Sequence, residues 1–257
     1  MQAFDSLSRN IQQYIYDKGW PSLTRIQNAA IKQVANTDHN LILSAPTASG
    51  KTEAAFIPAL NSVEDWDTGL KVLYISPLKA LINDQFQRIS ELSAYLDIPI
   101  TPWHGEVSQA QKKKVVNQPK GILLITPESI EGMLVNRPGK AQHLFKGVEW
   151  IIIDELHSFL GTERGVHLQS LLQRISQFMQ APRFIAMSAT LNKKDFGYAK
   201  AFFGSQRDTD ILVDRDKNDL LVTIDYTSGE AGPFVARESL AAIYQYSKTE
   251  TMLIFPN

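Results

Sequence analysis

The sequence contains no cysteine. That excludes a disulfide framework, a thiolate nucleophile and a thiolate metal site. It also suits a reducing compartment, so a cytoplasmic location is expected. Long apolar runs are missing too. Gly121–Thr126 and Trp150–Ile153 are among the longest, far short of the ~18 residues that cross a bilayer, so no membrane partner is expected. Met1–Asn10 has no basic segment followed by an apolar one, and no signal peptide is read there. Neither sign of charge dominates: 26 Lys+Arg face 27 Asp+Glu, a formal net charge of -1. A protein that coats itself in nucleic acid through bulk charge is strongly basic, so any such contact must be local. Repeats and low-complexity stretches are absent. What remains is a chain of 257 residues, 44% hydrophobic and 21% charged. That composition is ordinary for a globular protein and gives one large domain or two small ones.

Short apolar runs alternate with helical patterns. The runs are Leu41–Leu43, Lys71–Ile75, Ile100–Trp103, Ile122–Ile125, Trp150–Ile153, Arg183–Met187 and Ile211–Val213. Most lack a polar alternation, as strands covered on both faces do. Leu78–Leu96 and Val166–Met179 carry apolar residues at three-to-four spacing, the stripe of an amphipathic helix. The alternation predicts a parallel α/β sheet with right-handed crossovers. After about residue 204 the pattern changes. Arg207–Asp219 is polar and reads as a linker around the short run Ile211–Val213. A strand-like run (Leu220–Tyr226), a helical stretch (Ala236–Tyr246) and a last strand (Thr251–Asn257) follow. The expected organisation is a domain over 1–213 and the start of a second α/β unit over 214–257.

Two segments carry chemistry. Ala45-Pro-Thr-Ala-Ser-Gly-Lys-Thr52 follows a strand and opens a helix. It fits the phosphate-loop pattern G-x-x-x-x-G-K-[ST] with Ala45 in place of the first glycine. Backbone N–H groups of Ala45, Pro46 to Gly50 and the helix start face phosphates, except at Pro46, which has none. Lys51 gives a point charge to the β/γ-phosphates and Thr52 a hydroxyl ligand to Mg²⁺. Pro58 lies in the helix that follows, which is expected to be short or kinked there. The second segment, Trp150-Ile-Ile-Ile-Asp-Glu-Leu-His157, is an apolar strand that ends in two carboxylates. Such an end is costly unless it meets a cation or water. In an ATPase with a phosphate loop, Asp154 is then the Mg²⁺-side carboxylate and Glu155 the general base. The five histidines show no tight metal-ligand spacing.

Ala45–Thr52, Asp154-Glu-Leu-His157 and Ser188-Ala-Thr190 resemble motifs I, II and III of superfamily 2 helicases of the DExH type. Gly19-Trp20 with Leu23-Thr-Arg-Ile-Gln27 resembles the Q motif, Ser76–Leu81 resembles motif Ia, and His104-Gly-Glu106 and Thr126-Pro-Glu-Ser129 resemble the next two nucleic-acid motifs. Pro77–Leu81, the acidic motif and Gly161–Leu168 look most like the large helicase-related (Lhr) group, with Ski-type DExH helicases as the nearest rival. The resemblance implies a RecA-like domain that binds ATP and Mg²⁺. It implies that Gln27 reads adenine, with Phe4 or Trp20 packed nearby. Nucleic-acid contacts fall to Pro77, Lys79, Gly105, Thr126, Pro127 and Ser129, on the backbone and not the bases. His157, Ser188 and Thr190 are implied to couple ATP to the nucleic-acid side. Lys112–Lys114 reads as a solvated helix face, and Trp66 and Trp103 as packing residues. Thr251–Asn257 resembles the first strand of a second RecA-like domain, whose arginine fingers lie beyond this sequence. The fragment by itself is therefore expected to hydrolyse ATP slowly. An ATP-gated module that binds nucleic acid without unwinding it is the alternative reading.

Overall fold

The computed structural model describes residues 3–204 and 206–214. Seven strands make one sheet: β1 (Asn40–Ser44), β2 (Gly69–Ile75), β3 (Ile100–Trp103), β4 (Lys120–Ile125), β5 (Trp150–Ile153), β6 (Arg183–Ser188) and β7 (Thr209–Val213). Their order is β3-β4-β2-β5-β6-β1-β7, and every pairing is parallel. Nine helices are described: α1 (Arg9–Asp17), α2 (Arg25–Asn36), α3 (Lys51–Ser62), α4 (Lys79–Tyr95), α5 (Gln109–Asn117), α6 (Pro127–Asn136), α7 (Pro138–Phe145), α8 (Glu163–Ser176) and α9 (Phe196–Ala201). All seven expected strands form. The two helical stripes become α4 and α8, and α8 begins earlier than its stripe because the Thr162 side chain caps it by accepting from the Gly165 N–H.

Alternation along each strand sends neighbouring residues to opposite faces. Leu41, Leu43, Val72, Tyr74, Ile152 and Met187 join one buried layer with Ile26, Phe56 and Ile82 of α2, α3 and α4. Ile42, Leu73, Ile75, Ile151 and Ile153 join a second layer with Ile130, Leu144 and Leu171 of α6, α7 and α8. Both faces are thus covered, which is why these strands read as unbroken apolar runs. Trp66 and Trp103 pack against these layers as expected. Trp150 is more constrained: its indole N–H donates to the Ser62 hydroxyl at 2.8 Å, and the Arg183 guanidinium lies 4.5 Å from its ring centroid. Burial, more than the nearby Arg207, lowers the Arg183 pKa to about 10.

Two expectations need correction. α3 does not stop at Pro58 but runs to Ser62. The missing N–H and ring clash cost roughly 3 kcal/mol in an isolated helix. Here Ala54, Ala55, Phe56, Ile57 and Ala59 are all fully buried around it, and their packing offsets that cost. The second correction concerns the polar stretch from Arg207. There the strand expected at Ile211–Val213 begins two residues earlier, as the edge strand β7 (Thr209–Val213), paired in register with all of β1. Arg207 anchors the approach by donating to Asp38 and to the Ala181 carbonyl. The chain divides into two compact units, Met1–Asp216 and Lys217–Asn257. The expected elements at 220–226, 236–246 and 251–257 lie outside the described residues. Among the described residues no helix is long and apolar enough to cross a membrane.

Candidate functional site

Because all strands are parallel, the loops that leave their carboxyl ends share one edge of the sheet. Reading across it, β4, β2, β5, β6 and β1 are consecutive. Their following loops are Thr126–Ser129, Ser76–Leu81, Asp154–His157, Ser188–Thr190 and Ala45–Thr52. Segments far apart in the chain thus stand side by side where α/β sheets bind ligands. The acidic and Ser-Ala-Thr segments separate the phosphate loop from the two loops assigned to nucleic acid.

The phosphate loop is built on special backbone angles. Ala48 has φ 61° and Gly50 φ 81°. The left-handed angle favours glycine at Gly50, and a Cβ there would lie 2.5 Å from Gln27 Nε2 and displace that amide from the loop. Ser49 Oγ donates to the Pro46 carbonyl at 2.8 Å, and Lys51 Nζ to the Ala45 carbonyl at 2.6 Å. The Ala45 N–H donates to the Ser188 carbonyl at 3.1 Å, tying this loop to the β6 loop. Thr52 is buried at the start of α3. Gln27 braces the loop from α2. Its amide oxygen accepts from the Thr24 N–H at 2.9 Å, completing a capping box. Its Nε2 reaches the Gly50 carbonyl at 3.4 Å. Phe4 and Trp20, expected beside the adenine, both pack against the first hydrophobic layer, Trp20 edge-on to Tyr14.

Asp154 is buried at the end of β5. One carboxylate oxygen accepts the Tyr74 hydroxyl and the other the Glu155 N–H, at 2.9 Å for the latter. Burial raises the Asp154 pKa, against the pull of the Tyr74 hydrogen bond. Burial likewise lowers the Lys51 pKa, while the charges of Glu155 and Asp154 act to raise it. These opposed groups therefore feel one another across a shared, poorly hydrated site. Glu155 has φ 47°, a strained angle for this side chain. Its Oε2 lies 3.2 Å from His157 Nδ1 without hydrogen-bond geometry. The same His157 nitrogen lies 3.3 Å from Ser188 Oγ, which donates to the Thr190 carbonyl at 2.8 Å. His157, Ser188 and Thr190 thus form a connected chain beside Glu155.

On the other half of the edge, Thr126 caps α6: its hydroxyl accepts from the Ser129 N–H at 3.3 Å and lies 3.1 Å from Ser129 Oγ. Pro127 fills the first helical position. Pro77 is buried, Leu78 is exposed, and α4 starts at Lys79 with no side-chain cap. Lys79 pairs with Glu106, and Gly105 is exposed in the turn between them. Lys112 sits over the Trp103 ring at 5.6 Å, while Lys113 and Lys114 are exposed. Two residues at this edge escaped the sequence reading. Tyr74 was hidden inside an apolar strand, its polarity in an otherwise apolar run being the only signal. Arg164 bonds Glu128 and the Pro77 carbonyl, a set of contacts without any local signature.

The description DEAD/DEAH box helicase matches residues 24–196. The chain belongs to this helicase family. The helicase domain is 30% identical over 229 residues to the ATP-dependent helicase Lhr-Core of Methanocaldococcus jannaschii, covering 82% of this chain and 26% of that protein. It is 33% identical over 214 residues to the Lhr helicase/uracil glycosylase of Escherichia coli, 74% of this chain and 13% of that one. In structure it resembles Mycobacterium smegmatis helicase Lhr bound to ssDNA and AMP-PNP, with TM-score 0.73, 27% identity and coverage of 84% and 28% of the two chains. The helicase MrfA bound to DNA follows at TM-score 0.70 and 27% identity, with 82% and 30% covered. The chain therefore spans about a quarter of the length of the Lhr-Core relatives it matches. The fold is RecA-like α/β, and its family is one of ATP-dependent helicases.

Proposed function

We propose that this helicase domain is the ATP-binding motor half of an Lhr-like DNA or RNA helicase, converting Mg-ATP hydrolysis into movement along a strand. The consecutive placement of five motif loops on one sheet edge carries the reading. In it, residues 1–213 are the first RecA-like domain, and 214–257 lead into a second that completes the ATPase. Ala45, Pro46, Thr47, Ala48, Ser49, Gly50 and Lys51 surround the phosphates, and Gln27 holds Gly50 while reaching toward the base. Thr52 and Asp154 would hold Mg²⁺. Among the described residues no group of three His, Cys, Asp or Glu side chains is placed to hold a metal ion. A single carboxylate with a hydroxyl therefore suits a Mg²⁺ that keeps waters and phosphate oxygens as its other ligands. When bound there, the ion would supply positive charge to the transferring phosphoryl group.

Tyr74 fixes the Asp154 carboxylate. Glu155, one residue on, is the base that orients and deprotonates the attacking water. His157, Ser188 and Thr190 pass the state of that carboxylate to the neighbouring loop. Pro77, Lys79, Gly105, Thr126, Pro127 and Ser129 meet the strand through its phosphates. The N–H groups at the uncapped start of α4 are suited to this. Because Thr126 and Ser129 already bond each other, their contribution is to shape the α6 terminus as much as to touch phosphate.

The test is ATP hydrolysis by the full-length protein with single-stranded DNA and RNA side by side. Stimulation by either, abolished in Glu155→Gln with ATP binding retained, is the expected result. No stimulation, or a Glu155→Gln variant that hydrolyses normally, would refute the motor reading. Hydrolysis without strand displacement would favour an ATP-gated binding module instead.

A further inference from the structure

Arg164, the second residue of α8, joins three segments that are distant in sequence. Its Nε and Nη2 both donate to Glu128 Oε1, at 3.0 and 2.6 Å. Nη2 also donates to the carbonyl of Pro77. The guanidinium lies 5.7 Å from the Phe159 ring centroid. Glu128 follows β4 and Pro77 follows β2, so one side chain clamps together the two turns assigned to nucleic acid. The fork of Arg can bind a carboxylate and a carbonyl at once, which the single ammonium of Lys cannot match. Burial pushes the Glu128 carboxyl up, but its own N–H and Arg164 outweigh that and leave it below the usual range.

The third anchor leads back to the ATP site. Ser158 N–H donates to the Glu155 carbonyl at 2.8 Å, and Phe159 N–H to the Leu156 carbonyl at 3.0 Å. The Phe159 carbonyl then accepts Thr162 Oγ1 at 2.9 Å. Gly165 presses against that carbonyl so closely that a Cβ would lie 1.9 Å from it. From Glu155 to Arg164 the backbone is thus one short, tightly bonded path. It contains Thr162 and is held by Gly165 just beyond Arg164, and none of these three is in the phosphate loop or the acidic pair.

We propose that Arg164 is a positioning residue: it links occupation of the nucleic-acid turns to the placement of Glu155, so that strand binding accelerates hydrolysis. The link rests on the motor reading and adds its physical connection. Displacement of the Pro77 or Glu128 turn moves the guanidinium, and Phe159 and the turn before it follow.

The test uses the full-length protein and reads kcat and KM for ATP with and without saturating single-stranded DNA. For Arg164→Ala, the KM for ATP and the rate without DNA stay within about two-fold of wild type. The DNA-stimulated kcat falls roughly ten-fold even at saturation. Arg164→Lys recovers part of the stimulation. Stimulation intact in Arg164→Ala overturns the proposal, as does an equal fall of the basal and stimulated rates, which marks a merely structural role. Should Arg164→Ala fail to fold, Glu128→Gln decides: unchanged stimulation there overturns the link, and a selective loss supports it. A wild-type protein that neither DNA nor RNA stimulates sinks the motor reading, and this link with it. That failure is distinguishable because it shows before any substitution is made.

Discussion

Gly165→Ala isolates one close backbone approach. Gly165 is the third residue of α8, buried, with its N–H on the Thr162 hydroxyl at 3.1 Å. Its φ is not in the left-handed region, so alanine meets no backbone penalty. Helix propensity alone would make the substitution stabilising by about 1 kcal/mol. Against this stands the Phe159 carbonyl, 1.9 Å from the new Cβ at its oxygen and 2.8 Å at its carbon. An ordinary contact between carbon and a carbonyl oxygen needs about 3.3 Å, so the two backbones must part by more than about 1 Å. No rotamer change relieves a clash between backbone and Cβ. Overpacking of this kind costs about 1–3 kcal/mol and at times more. So short a contact sets the cost at the upper end of that range, and the expected net result is a loss of about 2 kcal/mol, or a fall in Tm of about 4–8 °C at this size. Denaturant and thermal unfolding measure it. Gly132→Ala is the control: that site is also helical, and nothing lies within 4 Å of its added Cβ, so it should gain up to about 1 kcal/mol. A Gly165→Ala protein as stable as wild type, or more so, would refute the close-packing argument.

Three further outcomes follow from the site and its supports. Gly50→Ala places a Cβ at a left-handed φ against Gln27 Nε2 and should weaken nucleotide binding by about ten-fold, as read by titration with a fluorescent ATP analogue; unchanged affinity would sink the bracing role given to Gln27. Asp154→Asn should stabilise the fold at pH 8. Burial raises the carboxyl pKa in the folded state, so the penalty is fully present above that raised pKa and vanishes below the unfolded one. The gain must therefore shrink as pH falls through the carboxylate range, and a gain independent of pH would contradict the cause given. Glu131 behaves in the opposite sense. Hydrogen bonds from Arg174 and His167 lower its pKa from 4.5 to about 2, so its contribution is present above 4.5 and lost as pH falls toward 2. Glu131→Gln should flatten that part of the acid-unfolding curve, and an unaltered curve would show that the cluster contributes nothing.

The strands were legible because burial on both faces leaves a local trace: Trp150–Ile153 is four apolar residues in a row, and it is β5. The phosphate loop was legible for a similar reason, since its glycine, lysine and threonine act through one continuous turn. What local pattern does not carry is which strand lies beside which. The pairing of Tyr74 with Asp154 depends on β2 and β5 being neighbours, with Tyr74 opposite Ile152. The same holds for Arg164, whose partners sit 36 and 87 residues away in sequence. The stretch from Arg207 was misread in part because an edge strand, half exposed, tolerates polar residues such as Asp210. That residue is held there by His39 at 2.7 Å and by Gln33. α3 outran its proline because burial, not local propensity, decides a helix packed on a sheet.

The left-handed angle at Glu155 has a consequence for the way this protein responds to selection. A glycine at 155 would relieve that angle, and an asparagine at 154 would remove the buried charge. A search for heat-tolerant variants that scored only the folded fraction would be drawn to these two neighbouring positions and, on the roles proposed for Asp154 and Glu155, would return inert proteins. Ala48, also left-handed at φ 61°, lies in the phosphate loop and would be drawn the same way. Where thermal selection and activity selection disagree most sharply along this chain, their disagreement should map the ATPase centre without any nucleotide being added.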